Sequence, residues 1–264
     1  MAQRRLLANV CKLIEEANTD QPVEQQFLND LKKSIEKDDL KGKRKPSQSY
    51  KPSGMNCIRS MYFQMTGAEL DESTAGYCMV GICNSGTDTH LRIQNYVSGM
   101  KENGFDCEYV DAAEFAKQRN LTDLEVIEKC GPETKFNHKV LKMHFLTDGI
   151  IKYKNRYYIL EIKTELGAKW RDRKGVDPKH YKQATAYSVS FKLDGVIFLY
   201  ISRDTLDMKA YMFEPTDEMK QDFVGLIDTC EQYVAKKECP PKPADMTDRT
   251  CRYCGYKSLC EVMR

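Results

Sequence analysis

The chain has 264 residues, of which 41% are hydrophobic and 30% are charged. This length allows a substantial core, and the composition is that of an ordinary globular protein. No apolar run approaches the length needed to cross a membrane, and acidic residues arrive too early for a secretory signal. We therefore expect a cytoplasmic protein without membrane association. The net charge of +2 excludes the strong global excess that many nucleic-acid binders carry, so any DNA-binding surface must be local.

Two stretches near the N-terminus, residues 4–18 and 22–38, place apolar side chains on one helical face. The stretch from Lys41 to Gly54, rich in Lys, Ser, Pro and Gly, has the composition of a linker. The pattern predicts a helical N-terminal extension over residues 1–45, followed by one domain over residues 46–264.

The remaining elements alternate between helix and strand. A helix is predicted over residues 87–97, and a helix start at Asp177-Pro178, where an acidic cap precedes proline. Another long helix is predicted from Thr216 to about residue 237. Runs of β-branched and aromatic residues predict strands over residues 140–151, 156–163, 196–201 and 208–213. This order indicates an α/β class domain, with a small mixed sheet flanked by helices.

The strongest local pattern is the hairpin that contains Asp148, Glu161 and Lys163. If its turn is centred on Lys154-Asn155, residue 151 pairs with 158 and Asp148 lies opposite Glu161. Strand alternation then places Lys163 on the same face as Glu161. Two carboxylates and a lysine should converge there.

Like charges opposite each other destabilise a strand pair, and a divalent cation would remove that cost. Mg²⁺ and Mn²⁺ prefer carboxylate and phosphate oxygens, and they can activate water and polarise a phosphodiester. Lys163 could orient the attacking water or neutralise charge that develops on phosphate. The alternative is an exposed hairpin whose Glu161–Lys163 pair is a surface ion pair.

Three further residues are candidates for such a site. Gln183 and Tyr187 lie one helical turn apart, so they could orient a substrate, or simply cap the edge of a core. His90 lies on the apolar face of its predicted helix, where a histidine is more often a core residue. Beside an acidic hairpin, however, a neutral imidazole can join carboxylates around Mn²⁺.

Eleven cysteines are many for a reducing compartment, where disulfides are rare. Cys251, Cys254 and Cys260 have the close spacing of metal ligands, and Cys57 could supply a fourth thiolate. This spacing alone leaves iron and zinc open. Cys239 is an alternative ligand, and the other six cysteines are expected to be packing residues.

Two basic clusters, Lys41–Lys45 and Lys169–Lys174, are either local DNA-binding surfaces or solvated segments. Trp170, inside the second cluster, could stack on a base or pack in the core. The chain has no Walker-type phosphate loop, so any helicase partner would be a separate protein.

The order of these motifs resembles the RecB-like branch of the PD-(D/E)xK nuclease superfamily, and more narrowly its iron–sulfur-containing members. The resemblance covers about residues 50–264. Thr147 stands where most members have proline, and residues 1–45 have no counterpart. The motifs, in chain order, are Cys57, His90, Asp148, Glu161-Ile162-Lys163, Gln183-x3-Tyr187 and Cys251/Cys254/Cys260.

The resemblance implies a restriction-endonuclease-like core and a C-terminal segment that holds a 4Fe–4S cluster through the four cysteines. By the same resemblance, His90, Asp148, Glu161 and the Ile162 carbonyl would bind Mg²⁺ or Mn²⁺. Lys163 would be catalytic, and Gln183 and Tyr187 would contact DNA near the active site.

The implied activity is metal-dependent exonuclease cleavage of single-stranded DNA, in repair, recombination, phage replication or CRISPR adaptation. Such an enzyme could act with a separate helicase or recombination protein. Two alternatives stay open at this stage. One is a structure-specific endonuclease of the same fold, and the other is a non-catalytic module that binds DNA ends. Intact Asp148, Glu161 and Lys163 argue against the second.

Overall fold

A computed structural model of the chain describes residues 21–41, 47–71, 76–193, 195–243, 251 and 253–263. The predicted helix over residues 4–18 lies outside these ranges, and so do residues 42–46 of the predicted linker. The chain divides into two compact units, one comprising Met1–Lys45 with Ser73–Ser85 and the other Pro46–Glu72 with Gly86–Arg264. Among the described residues, no helix is both long enough and apolar enough to cross a membrane.

The first unit contains helix α1, Val23–Lys41, which confirms the helix predicted over residues 22–38. Glu24 in its first turn interacts favourably with the helix dipole. Within this unit, Glu36 accepts a hydrogen bond from the Tyr77 backbone N–H at 3.0 Å, and Lys32 lies over the Tyr77 ring.

The main sheet of the second unit has five strands in the order β1-β5-β6-β7-β8. Strands β6 and β7 are parallel, and the other neighbours are antiparallel. The prediction of a mixed α/β domain is therefore confirmed. These strands are β1 Cys107–Val110, β5 Ile150–Tyr153, β6 Arg156–Glu165, β7 Val196–Ser202 and β8 Met208–Phe213.

A second, three-stranded antiparallel sheet contains β2 Leu124–Cys130, β3 Glu133–His138 and β4 Met143–Thr147. The prediction of one continuous strand over residues 140–151 was wrong, because β4 and β5 belong to different sheets. The chain changes sheet at Asp148-Gly149. Gly149 has φ +143°, and a Cβ there would lie 2.4 Å from Cε1 of Tyr109, so a glycine is required at this position.

Helices surround these sheets, and their starts follow local capping chemistry. Asp177 accepts a hydrogen bond from the Lys179 N–H, and Thr216 accepts one from the Met219 N–H, which confirms both predicted helix starts. The helix predicted over residues 87–97 is part of a longer helix, which spans Tyr77–Ser98 and is named α3 below. Besides α1, the α-helices are α2 Ile58–Met65, α3 Tyr77–Ser98, α4 Ala112–Gln118, α5 Gly167–Asp172, α6 Tyr181–Phe191, α7 Asp217–Lys236 and α8 Lys257–Val262.

The two faces of the main sheet bury different clusters. One face, with Ile159 and Phe198, packs against Phe136 of the second sheet and Phe191 of α6. The other face, with Leu160 and Ile162, packs against Ile93 of α3. Glu161 lies between Leu160 and Ile162 and therefore points toward the first face, beside α6.

Candidate metal centre

The hairpin formed by β5 and β6 has the predicted register. Ile151 pairs with Tyr158, and Ile150 with Ile159. The turn residues Lys154 and Asn155 both have positive φ, as a two-residue hairpin of this twist requires. Beyond the last strand pair, the Leu160 N–H donates to the Gly149 carbonyl at 2.9 Å, so the register continues toward residue 148.

Asp148 lies directly after β4 and is bound from two sides. Its Oδ2 accepts a hydrogen bond from the Ile162 backbone N–H at 2.7 Å, and its Oδ1 lies 3.2 Å from Nδ1 of His90. The predicted partners Asp148, His90 and Ile162 are therefore in one place. Burial lowers the pKa of His90, but the hydrogen bond with Asp148 and the nearby carboxylates outweigh it, so the pKa is raised.

Glu161 is 3% exposed, and its two carboxylate oxygens have different surroundings. Oε1 accepts a hydrogen bond from Gln183 at 2.8 Å and forms an ion pair with Lys163. Oε2 is buried and has no hydrogen-bond partner among the described residues. Burial and the negative charge of Asp148 raise the pKa of Glu161. An ionised carboxylate with a free buried oxygen is costly unless a cation binds it.

Gln183 and Tyr187 lie behind this carboxylate. The Gln183 side chain donates to both Glu161 Oε1 and the Tyr187 hydroxyl, and the Tyr187 hydroxyl donates to the Leu146 carbonyl at 3.1 Å. Both side chains are buried. They therefore hold Glu161 against strand β4, and their contact with DNA stays a prediction.

Glu133 is a residue of this centre that the sequence did not predict. The ligand atoms of His90, Glu133 and Asp148 all lie within 4.8 Å of one another, and this is the metal-ligand group of three found among the described residues. The signal that could have found it is a second hairpin, because the register of β3 and β4 pairs Thr134 with Thr147 and leads to Glu133 opposite Asp148.

The four predicted cysteine ligands meet in a second place. Cys57, Cys251, Cys254 and Cys260 line one cavity of about 270 Å³, together with the cations Arg59, Lys242 and Lys257. Burial raises the pKa of Cys254, and the other three thiols raise it further. Cys239, the alternative ligand, is not one of the described residues that line this cavity. Its sulfur instead accepts a hydrogen bond from Arg59 at 3.2 Å.

The basic cluster at residues 169–174 is not the solvated loop that was one of its two predicted alternatives, and DNA binding by it stays a prediction. Its first part is helix α5, and two of its cations are paired within the protein. Lys169 lies 2.7 Å from Asp177, and Arg173 binds Glu165. The Trp170 indole donates to the Tyr200 carbonyl at 3.0 Å, and Lys209 covers its ring. Trp170 therefore packs within the fold rather than standing free to stack on a base.

No family model matches the chain, and no curated protein matches it. Among solved structures, the chain is similar to SSO0001 at 18% identity and a TM-score of 0.46, over 92% of this chain and 98% of that one. It is also similar to an alkaline exonuclease (LHK-Exo) from Laribacter hongkongensis at 12% identity and a TM-score of 0.36, over 73% and 90%. Both TM-scores lie below 0.5, at which level a likeness carries no weight for function.

Proposed function

We propose that this chain is a metal-dependent deoxyribonuclease that acts as an exonuclease on single-stranded DNA. The observation that carries the proposal is the convergence of Asp148, Glu161 and Lys163, with one buried oxygen of Glu161 left without a partner. The order of the motifs along the chain, described above, supports the same reaction.

The residues of this centre fit a divalent cation. The unpartnered Oε2 of Glu161 and the closely spaced His90 and Asp148 offer oxygen and nitrogen ligands, and the Ile162 carbonyl would complete the set. This donor set suits Mg²⁺ or Mn²⁺. When bound, such a cation would polarise the phosphodiester and make water a stronger nucleophile.

The protein's own side chains would position and stabilise the reaction. Lys163 is about a quarter exposed, so its ammonium group can face both Glu161 and a phosphate in the solvent. There it would orient the attacking water or neutralise charge that develops on phosphate. Gln183 fixes the orientation of Glu161 and prevents its carboxylate from turning away.

The four-cysteine cavity is proposed to hold a 4Fe–4S cluster. The four thiols line one cavity of about 270 Å³, which can accommodate a group of several atoms. Arg59, Lys242 and Lys257 place positive charge around ligands that bind metal as thiolates. The cluster would connect the C-terminal segment to the start of α2, and its binding would contribute folding free energy.

The nuclease test compares the parent protein with Glu161→Ala on end-labelled single-stranded DNA, with Mn²⁺, with Mg²⁺ and with chelator. We expect cleavage by the parent only with metal, and no cleavage by the variant, which should remain folded. Glu128→Gln, an exposed acid on β2, is the matched control. A variant that cleaves at the parental rate would show that the centre is misplaced. A parent that binds DNA ends but never cleaves would support the non-catalytic alternative.

The substrate preference is tested with linear and covalently closed single strands of one sequence and with matched duplexes. We expect degradation of the linear single strand alone, and weaker binding as salt rises. Rapid loss of the circles would indicate internal cutting, which favours the structure-specific endonuclease. A helicase or recombination protein that supplies single strands would be a separate partner.

The cluster test measures iron and acid-labile sulfide in protein purified without oxygen. We expect about four of each per chain, and Cys254→Ser should lower both the iron content and the melting temperature. Cys78→Ser, at an exposed cysteine, should change neither. Stoichiometric zinc without sulfide would show that the cavity holds a zinc ion instead.

A further inference from the structure

We propose that Arg59 is the internal counter-charge for the negatively charged metal–thiolate group that the four-cysteine cavity would hold. This inference rests on the cluster proposed above and goes beyond it, because it gives a role to a residue that is not a ligand. Arg59 lies in the first turn of α2, two residues after Cys57, and both residues line the cavity. Its charge would stabilise the bound group and make that group easier to reduce.

The burial of Arg59 calls for an anion close by. The residue is 7% exposed, whereas Lys242 and Lys257, the other cations among the described residues that line the cavity, are exposed. Arginine stays charged in proteins, and a buried charge is costly unless a group of opposite charge accompanies it. The position in α2 adds to this cost, because the helix dipole disfavours a cation in the first turn of a helix.

The contacts of Arg59 in the described part of the chain do not include a carboxylate. Its Nε donates to the Cys239 sulfur at 3.2 Å, and its Nη2 donates to the Met263 carbonyl. Glu261, which also lines the cavity, is exposed and lies 3.9 Å from Lys257 instead. A metal group bound by the four thiols would supply the anion, because it would occupy the same cavity that Arg59 lines.

The charge of Arg59 should affect the reduction of that group. An iron–sulfur cluster held by four thiolates has a net negative charge, and the addition of one electron increases that charge. A positive charge nearby stabilises the more negative state, so it raises the reduction potential. Water and salt screen a buried charge less than an exposed one. Arg59 should therefore raise the potential more than either Lys242 or Lys257 does.

Arg59 also makes a structural contact, which the test must separate from its charge. The hydrogen bond to the Met263 carbonyl connects the end of α8, the helix that contains Cys260, to the start of α2. Arg59→Lys keeps the positive charge but loses the planar guanidinium group. Arg59→Gln loses the charge and keeps a side-chain N–H donor. A purely structural role would not make the reduction potential follow the charge.

The test titrates the anaerobically purified chain with dithionite, which supplies the electron, and measures the midpoint potential by visible absorbance and electron paramagnetic resonance. For Arg59→Gln we expect the equilibrium constant for reduction to fall about tenfold, a shift of about 59 mV to lower potential for one electron. Arg59→Lys should lie closer to the parent than Arg59→Gln does. Lys117→Gln, at an exposed lysine of α4 outside the cavity lining, should keep the parental potential.

Iron and acid-labile sulfide are measured on the same samples. An unchanged potential in cluster-loaded Arg59→Gln would show that Arg59 is not the counter-charge, while the proposed cluster and nuclease would stand. If Arg59→Gln takes up no iron, Arg59→Lys decides the matter. Normal uptake by Arg59→Lys supports the counter-charge, and no uptake shows that the guanidinium group is needed for structure instead. If the parent holds no iron–sulfur cluster, this inference fails together with the proposed cluster, and the DNA cleavage assay still tests the metal centre.

Cys239→Ser tests whether Arg59 acts directly, because the Cys239 sulfur is the other partner of its guanidinium group. The serine keeps a hydrogen-bond acceptor and removes the sulfur. We expect this variant to keep the iron content and the reduction potential of the parent. If Cys239→Ser lowers the potential as far as Arg59→Gln does, Arg59 acts through Cys239, and the direct counter-charge is wrong.

Discussion

Glu161 and Glu165 lie four residues apart on β6 and point to the same face of the sheet, yet their surroundings are opposite. Both are buried, at 3% and 6% exposure. Glu165 has a cation at each of its oxygens, whereas one oxygen of Glu161 has no hydrogen-bond partner in the described part of the chain. The two residues allow a fully paired buried carboxylate to be compared with a partly paired one.

Glu165 belongs to a balanced cluster. Arg173 binds both of its oxygens, one through Nη2 at 2.7 Å, and Lys169 lies 3.5 Å away. Arg173 also lies over the Tyr200 ring, 3.9 Å from its centroid. Burial raises the pKa of Glu165, but the hydrogen bonds and charge of Arg173 outweigh it, so the pKa is lowered. The folded protein therefore stabilises this carboxylate as an anion.

At Glu161 the pKa is raised, because burial and Asp148 together outweigh the attraction of Lys163. The fold thus destabilises this anion, and a free divalent cation would reverse the effect. Because these two buried carboxylates have opposite pKa shifts, burial alone does not identify a candidate functional carboxylate. The two carboxylates differ in the second oxygen of Glu161, which has no hydrogen-bond partner among the described residues although the first is bound by Gln183 and Lys163.

The largest expected effect is a loss of DNA cleavage when Glu161 is substituted. Glu161→Gln should lower the rate of DNA cleavage at least about a hundredfold, since a cation ligand supplies several kcal/mol of transition-state stabilisation. Its free energy of unfolding in chelator should stay close to that of the parent, because losing the ion pair with Lys163 is offset by no longer burying a charge beside Asp148. Cleavage rates and urea denaturation measure both. If Glu161→Gln unfolds far more easily than the parent, the carboxylate is structural after all.

The next effect concerns stability at Glu165. Arg173→Met should lower the free energy of unfolding by about 3–5 kcal/mol, because it leaves Glu165 buried without its main partner. The double variant Glu165→Gln with Arg173→Met should lose less than the sum of the two single changes, since the pair is removed together. Urea denaturation of the three variants tests this. Additive losses would mean that the two side chains do not interact.

Part of the centre follows from local sequence signals. The turn at Lys154-Asn155 sets the hairpin register, because both residues adopt positive φ. That register alone leads Asp148 toward Glu161. The caps Asp177 and Thr216 likewise mark where their helices begin, because a side chain satisfies backbone N–H groups within three residues.

The rest depends on contacts that a single sequence does not display. Strand β3 carries several charged and polar residues, and only its pairing with β4 places Glu133 beside Asp148. The requirement for glycine at position 149 comes from the ring of Tyr109, a residue of β1 that is far away in the sequence. Arg173 seemed available to DNA because its sequence does not reveal that the chain folds back onto Glu165.

The smallest expected effect concerns His180, which lies directly before helix α6. Its Nδ1 is 2.9 Å from the Tyr200 hydroxyl, and its ring stacks on Phe198. Burial lowers the pKa of His180 to about 3, and the positive charges of Lys163 and Lys179 also lower it. The folded protein therefore keeps this ring neutral, while the unfolded chain takes up a proton near pH 6.5.

The sign of the pH dependence follows from this difference. The stability that His180 contributes is fully present above pH 6.5 and is lost as the pH falls toward 3, because the unfolded chain binds the proton first. Between pH 7 and 5 the loss should be about 1 kcal/mol, after allowing for screening by water at this partly exposed ring. His180→Gln keeps a polar side chain without a titrating group. Urea denaturation at both pH values should show a shallower loss for His180→Gln than for the parent, since all other titrating groups are shared. Equal losses would mean that folding does not lower the pKa of His180.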